Sequence, residues 1–125
     1  MKTPQDPRHK RREKIIRDLF AWSFQNQIEK TSDPLVEEIL KNIKEIDQII
    51  AEAAPQWPVN QINKVDLAIL RLAVFELVIQ PKEPPKVIID EAIELAKTYG
   101  SERSFAFVNG VLGTIFKRIK KTDES

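Results

Sequence analysis

The sequence contains no cysteine and one histidine, His9. Without cysteine no disulfide can form, and a lone histidine cannot build the Cys/His sites that hold structural zinc. The sequence also lacks an apolar run long enough for a signal peptide or a membrane-spanning helix. We therefore expect a cytoplasmic protein with no membrane segment and no Cys/His metal site.

Glycine is scarce too, with three in 125 residues. No glycine-rich phosphate loop, cysteine nucleophile or serine elbow motif is present. The carboxylates Asp90, Glu91 and Glu94 could serve as acid–base groups or metal ligands, but a charged helix face is usually solvated. We expect a protein that is not an enzyme and that needs no cofactor.

Strand-like alternation of apolar and polar residues is missing, whereas every apolar segment has helical spacing. The length fits one domain. We predict an all-α fold, with a flexible basic arm over residues 1–8, one helical domain over residues 9–121 and a disordered tail over residues 122–125. The first helix is predicted from about His9 to Gln27, because its apolar residues fall on one side: Ile15, Ile16, Leu19, Phe20 and Trp22.

The other predicted helices follow from start and stop signals. Asp33 and Pro34 begin one long helix that ends before Pro55. Asn63, with Asp66 three residues later, resembles a capping box and opens a helix that is apolar nearly all round. A further helix over about 86–99 ends near Gly100, and Ser101 can cap the last one.

The dipeptide Asn109-Gly110 favours a β-hairpin when it is taken alone. Its surroundings have helical spacing, so a helix is predicted here. Ala106, Gly110 and Gly113 then form a strip of small residues, which predicts a close helix crossing. A hydrogen bond from Asn109 to a loop carbonyl is expected, because its neighbours are apolar.

Charge is distributed unevenly along the chain. Residues 1–17 have seven basic and two acidic side chains, or +5; residues 18–116 have nine and fifteen, or −6; and residues 117–125 have four and two, or +2. Basic ends on an acidic body suggest contact with a polyanion, although solvated terminal charge gives the same pattern. Lys10, Lys14 and Arg17 share the outer face of the first helix.

Arg103 and Phe107 lie four residues apart near the start of the last helix. A ring beside a guanidinium at a helix N-terminus can stack a base and hold a phosphate. The alternative interpretation is that Phe107 is a core residue.

Four segments at familiar spacing give the chain a resemblance to the NusB family of bacterial transcription antitermination factors. They are residues 12–13 leading to 19–22 (LFAW), residues 65–77 (VDLAILRLAVFEL), residues 90–97 (DEAIELAK) and residues 107–112 (FVNGVL). The resemblance covers nearly the whole chain. It implies a compact helical bundle of two small helical subdomains.

The resemblance also implies a function: binding of boxA-type single-stranded RNA in nascent ribosomal RNA transcripts, together with the ribosomal protein NusE. The RNA polymerase elongation complex would be reached indirectly, through that assembly. Carried over by position, Asp66 is expected to contact NusE. The same resemblance implies RNA contacts at Arg8, His9, Lys10, Arg12, Phe20 and Phe107. Charge and spacing add Arg11, Lys14 and Arg103 to the expected RNA-binding residues.

The chain departs from the family pattern at Phe20, Asp90, Ala106 and Gly113. The usual residues there are Tyr, Asn, Lys and Asp, so Phe20 and Ala106 lack polar groups that would face RNA. Arg103 can supply a charge one turn before Phe107. Two other functions stay open: a helical partner-binding protein without RNA activity, and an RNA-binding domain detached from a ribosomal RNA methyltransferase, which requires the sequence to be a fragment.

Overall fold

The computed structural model describes residues 6–28 and 32–124, and within these ranges it contains helices and no strand. The all-α prediction is confirmed. In chain order the helices are α1 (Pro7–Gln25), α2 (Pro34–Lys41), α3 (Ile43–Ala53), α4 (Lys64–Val74), α5 (Pro85–Tyr99) and α6 (Ser104–Glu124). A 3₁₀ turn (Val59–Gln61) precedes α4, and a π-helical turn (Phe75–Ile79) follows it.

The first and last helices begin and end close to the limits of the described residues. Helix α1 begins at Pro7 because the carboxylate of Asp6 accepts a hydrogen bond from the backbone N–H of Arg8 at 2.9 Å, which caps the helix inside the predicted arm. Residues 1–5 of that arm lie outside the described residues. Helix α6 continues to Glu124, into the predicted tail.

The predicted long second helix is wrong, because two helices occupy its place. Asp33 caps α2 as expected, accepting from the backbone N–H of Leu35 at 2.9 Å. The regular helix stops at Asn42, whose φ is −108° and whose side-chain amide donates to the carbonyl of Glu38. A side chain that bonds its own backbone competes with continued helix. The apolar period continues across this break, so spacing alone did not reveal it.

Helix α4 is the central element and packs against α1, α3, α5 and α6. Asn63 caps it by accepting from the backbone N–H groups of Val65 and Asp66. Every residue from Asp66 to Phe75 is buried, as its apolar composition predicted. The buried apolar residues of all six helices form one continuous core.

The FVNG segment lies inside α6, so the helical prediction is confirmed, but the predicted close crossing is wrong. A Cβ atom at Gly110 or Gly113 would meet nothing within 4 Å. Ala106 and Asn109 are also exposed, which removes the need for the internal hydrogen bond expected of Asn109. Gly100, at the end of α5, leaves no room for a side chain, because a Cβ there would lie 2.4 Å from Cβ of Ser104.

Candidate nucleic-acid interface

Helix α1 presents the expected row of basic side chains to solvent. Arg8, Lys10, Arg11, Lys14 and Arg17 are all exposed. Several of them already have acidic neighbours: Arg8 lies 3.5 Å from Glu83, Arg11 bonds Asp33, and Lys14 lies 3.2 Å from Asp18. The basic face is therefore partly neutralised by the protein itself.

Arg12 is placed differently from the other arginines of α1. Its side chain is 7% exposed, and its guanidinium lies 2.6 Å from Glu83, 3.0 Å from Glu76 and 3.5 Å from Glu91. Although burial opposes its charge, hydrogen bonds to Glu76 and Glu83 raise the pKa of Arg12. The guanidinium of Arg12 is thus enclosed by carboxylates and leaves little surface for a phosphate contact.

His9 belongs to the same cluster. Its Nδ1 lies 2.9 Å from Glu91, and its side chain is mostly buried. We define the carboxylate cluster as Arg12 and His9 with Glu76, Glu83 and Glu91. It ties α1 to α5 and to the π-helical turn that follows α4, so His9 also lies inside the protein's own polar network rather than on the basic face.

A sequence signal for this burial was present. Arg12 lies three, four and seven residues before Ile15, Ile16 and Leu19, which are the buried residues of α1. These spacings place Arg12 on the core-facing side of the helix.

A second region collects aromatic side chains at the N-terminal end of α4. We define this aromatic surface by Phe20, Phe24, Trp57 and Phe107. A cavity of about 220 Å³ is lined by Ile16, Arg17, Phe20, Val65, Ala68 and Tyr99. A neighbouring cavity of about 340 Å³ is lined by Trp57, Gln61, Ile62, Asn63, Asp66, Arg103 and Phe107.

The rings of the aromatic surface form two separate edge-to-face pairs, each with solvent-exposed surface. Trp57 is 53% exposed, and its ring centroid lies 6.5 Å from that of half-buried Phe107. Phe24 is 60% exposed and lies 5.0 Å from Phe20. The Nζ atom of Lys64 lies 5.5 Å from the Phe24 centroid, which is a cation–π distance.

Positive charge surrounds these rings. Arg17 and Arg103 each line one of the two cavities, and the first turn of α4 adds Lys64 and the positive end of the helix dipole. The phenol oxygen of Tyr99 accepts from Arg17, raising the pKa of Arg17. Exposed rings with adjacent cations can stack bases and hold phosphates.

Asp66 is the acidic residue of this region and is 6% exposed. Its Oδ1 atom has no hydrogen-bond partner among the described residues. Burial raises the pKa of Asp66, and a hydrogen bond from Ser104 partly opposes this. The carboxyl is thus held in the wall of a cavity with unused hydrogen-bonding capacity.

The structure divides the expected site residues into groups. Phe20, Arg103, Phe107 and Asp66 lie on the aromatic surface or in its cavities. Arg8, Lys10, Arg11 and Lys14 lie toward the other end of α1, where 1.5 Å per residue puts Arg8 about 18 Å from Phe20. His9 and Arg12 belong to the carboxylate cluster.

Within residues 6–28 and 32–124, no group of three His, Cys, Asp or Glu side chains could hold a metal ion. Asp90 and Glu94 are exposed, while Glu91 is buried beside Arg12. No helix in these ranges is long and apolar enough to cross a membrane.

Comparison with known proteins gives a consistent family. The NusB family model matches residues 4–117. The transcription antitermination protein NusB of Treponema denticola is 41% identical over 109 residues, covering 81% of this chain and 79% of the relative. That of Agathobacter rectalis is 39% identical over 125 residues, covering 84% and 95%.

Other relatives match over a shorter segment. The NusB protein of Roseiflexus castenholzii is 58% identical over 78 residues, covering 61% of this chain. The chain spans about half the length of the Roseiflexus castenholzii and Chloroflexus aggregans relatives, at 55% and 50%.

Solved structures agree with the sequence matches. NusB from T. maritima superposes with a TM-score of 0.76 at 36% identity, covering 94% of this chain and 93% of that one. A structure of the antitermination factors NusB and NusE in complex with double-stranded RNA gives a TM-score of 0.76 at 25% identity, covering 90% and 99%.

Proposed function

This chain belongs to the NusB family, and from that premise we propose that it is a transcription antitermination factor that binds boxA-type single-stranded RNA together with NusE. It reaches the RNA polymerase elongation complex through that assembly. NusB antitermination factors are not enzymes, which agrees with the prediction for this chain. A structural neighbour, the complex of the antitermination factors NusB and NusE with double-stranded RNA, supports the choice of partners.

The observation that carries the proposal is the aromatic surface and its cations. Phe107, Trp57 and Arg103 line one cavity, and Phe20 and Arg17 line the other. Stacking of a base on an aromatic ring contributes about 1–3 kcal/mol and tolerates any base. The adjacent guanidinium groups are positioned to bind the phosphates that flank a stacked base.

The basic face of α1 extends this surface. From the aromatic surface, Arg17, Lys14 and Lys10 lead back along one helix toward Arg8. An extended single strand that stacks on Phe20 or Phe107 can continue along this face and exchange its counterions for these side chains. The RNA-binding residues we propose are therefore Arg8, Lys10, Arg11, Lys14, Arg17, Phe20, Arg103 and Phe107.

Asp66 supports a neighbouring contact with NusE. Its buried carboxyl has an unpartnered oxygen in the wall of the larger cavity, and a donor from a partner protein would satisfy it. Substitution by lysine would place a positive charge there instead. We expect Asp66→Lys to weaken NusE pairing, as measured by calorimetry alongside a melting curve.

Titration of a boxA-like RNA at several salt concentrations, with and without NusE, tests the proposal. Lys10→Ala is expected to flatten the slope of log K against log salt by about 0.7, the value for one single-strand phosphate contact. Lys44→Ala is the matched control, because Lys44 is an exposed lysine on α3. If the wild-type protein with NusE shows no salt-dependent RNA binding, the partner-binding function without RNA replaces this one.

A further inference from the structure

A two-pronged ion pair on the exposed side of α1 joins Arg11 to Asp33. The Nε atom of Arg11 lies 2.7 Å from Oδ2 of Asp33, and its Nη2 atom lies 2.8 Å from Oδ1. Two parallel N–H···O bonds of this kind are also how a guanidinium binds a phosphate. The side chain of Arg11 is 56% exposed, so RNA could reach its guanidinium if the carboxylate of Asp33 were not bound to it.

A second acidic side chain extends this arrangement. Oδ2 of Asp18 lies 3.2 Å from Nζ of Lys14 and accepts the backbone N–H of Asp33 at 3.3 Å. Asp18 therefore holds a lysine of the same face and helps to fix the position of Asp33. Two carboxylates, one from α1 and one from the start of α2, cover two of the basic side chains of α1.

The charge of Asp33 is not explained by its place at the end of a helix. Oδ1 of Asp33 caps α2 by accepting from the backbone N–H of Leu35 at 2.9 Å. A neutral Asn or Ser at this position caps a helix about as well, so the cap needs an acceptor and not a carboxylate. Hydrogen bonds from Arg11 hold the pKa of Asp33 below its ordinary value, because they favour the carboxylate form.

We propose that Asp33 is an internal phosphate mimic that occupies Arg11 and has to be displaced when RNA binds along α1. This inference rests on the proposed function, because it assigns a role to a residue beside the same basic face. Asp33 sets the affinity of the basic face without contacting RNA. It makes binding weaker and less salt-dependent than the number of basic side chains alone would give.

The test compares Asp33→Asn with Glu37→Gln. Both remove one negative charge from the first turn of α2 or its cap, but Glu37 is exposed and does not hold Arg11. Two probes are titrated at several salt concentrations around about 0.1 M: boxA-like RNA with NusE, and inorganic polyphosphate, which has phosphates and no bases. A melting curve accompanies each variant, and Asp33→Ser replaces Asp33→Asn if the latter does not fold.

Asp33→Asn is expected to tighten the binding of both probes about two- to fivefold, the range of exposed ion pairs. The salt slope is expected to steepen by about 0.7 for one additional phosphate contact. Glu37→Gln should leave both quantities unchanged. Adding Arg11→Ala to Asp33→Asn should abolish the gain, because Arg11 is the group that becomes available.

Failure of the mimic and failure of the proposed function give different results. If wild-type protein binds RNA but Asp33→Asn binds both probes no more tightly, the mimic is refuted and the RNA function stands. If Glu37→Gln gives the same gain as Asp33→Asn, net charge explains the effect and the mimic is also refuted. If RNA does not bind but Asp33→Asn tightens polyphosphate binding through Arg11, the RNA function fails and with it the displacement by RNA, while the competition of Asp33 with phosphate for Arg11 is retained.

Discussion

The carboxylate cluster and the aromatic surface both involve arginine, but the cluster encloses its arginine whereas the arginine beside the aromatic surface lines an open cavity. In the cluster, Arg12 is enclosed by Glu76, Glu83 and Glu91 and is nearly hidden from solvent. On the aromatic surface, Arg103 lines an open cavity beside Phe107. Residues 64 to 82 positions apart in sequence supply the partners of Arg12 and His9. Distant partners, and not the local density of charge, decide which arginines remain available to a ligand.

The largest expected effect is the loss of Arg12. Removing one partner of a buried ion pair leaves uncompensated charge, so Arg12→Ala is expected to lower the free energy of unfolding by about 3–5 kcal/mol. Arg11→Ala removes an exposed pair and should change stability by about 1 kcal/mol or less. Denaturant unfolding of both variants measures the contrast.

RNA titration of the folded fraction completes that comparison. Arg12→Ala should leave the salt slope unchanged, because Arg12 exchanges no phosphate contact. A flatter slope with unaltered stability would show that Arg12 leaves the cluster to bind RNA, and the division between the two regions would then be wrong.

Phe107 tests the aromatic surface. Phe107→Ala is expected to weaken RNA binding by about 1–3 kcal/mol with little change in salt slope, because stacking exchanges few ions. Phe105→Ala is the matched control. Phe105 is an exposed ring two residues earlier on α6, but it lies over Lys97 and lines neither cavity. Equal losses for the two variants would contradict a specific stacking role for Phe107.

The fold was more predictable than the site, and particular residues show why. The buried residues of α1 and α4 follow from spacing, because burial is a property of one helix face. The role of Gly110 did not follow, although Val108, Leu112 and Ile115 mark the buried face of α6 and Gly110 lies off it. The partners of Arg12 and Asp33 depend on how separate helices pack against one another. A single sequence does not predict that packing. The break at Asn42 also left no trace in the apolar period.

The exposed side of α6 gives a smaller effect on stability. A Cβ at Gly110 meets nothing within 4 Å, so Gly110→Ala should raise the free energy of unfolding by about 1 kcal/mol through helix propensity. Gly100→Ala should instead lower it, since its Cβ would lie 2.7 Å from the carbonyl of Ala96. Thermal melting measures both. A lower melting temperature for Gly110→Ala would indicate a close neighbour at this position after all.

Gly110→Ala also tests how far the aromatic surface extends along α6. RNA titration of Gly110→Ala asks whether the open side of α6 belongs to the binding surface. Unchanged affinity would confine the surface to Phe107 and the residues around its cavity. A loss of affinity with raised stability would extend it along Gly110 and Gly113.

The smallest expected effect concerns Asp66. Its carboxyl lies in a cavity of the aromatic surface and has an oxygen without a hydrogen-bond partner in the described part of the chain, unlike the ion-paired carboxylates of the carboxylate cluster. Burial raises its folded-state pKa above the ordinary 3.8, and Ser104 only partly opposes the shift. A raised carboxyl pKa means that the folded state favours the protonated form. The stability it contributes is present below the ordinary pKa and is lost as pH rises through the folded pKa.

Asp66→Asn removes this pH dependence, because the amide stays neutral. We expect the variant to melt at a slightly higher temperature than wild type at pH near 7, and the difference to vanish toward the acid side of the ordinary pKa of 3.8, where wild-type Asp66 is protonated. Glu76, whose pKa is raised chiefly by burial, is present in both proteins and cancels in the comparison. If Asp66→Asn melts lower at neutral pH, the carboxylate stabilises the junction of α4 and α6. If it melts higher but pairs less well with NusE, the unpartnered oxygen is kept for the partner at the expense of stability.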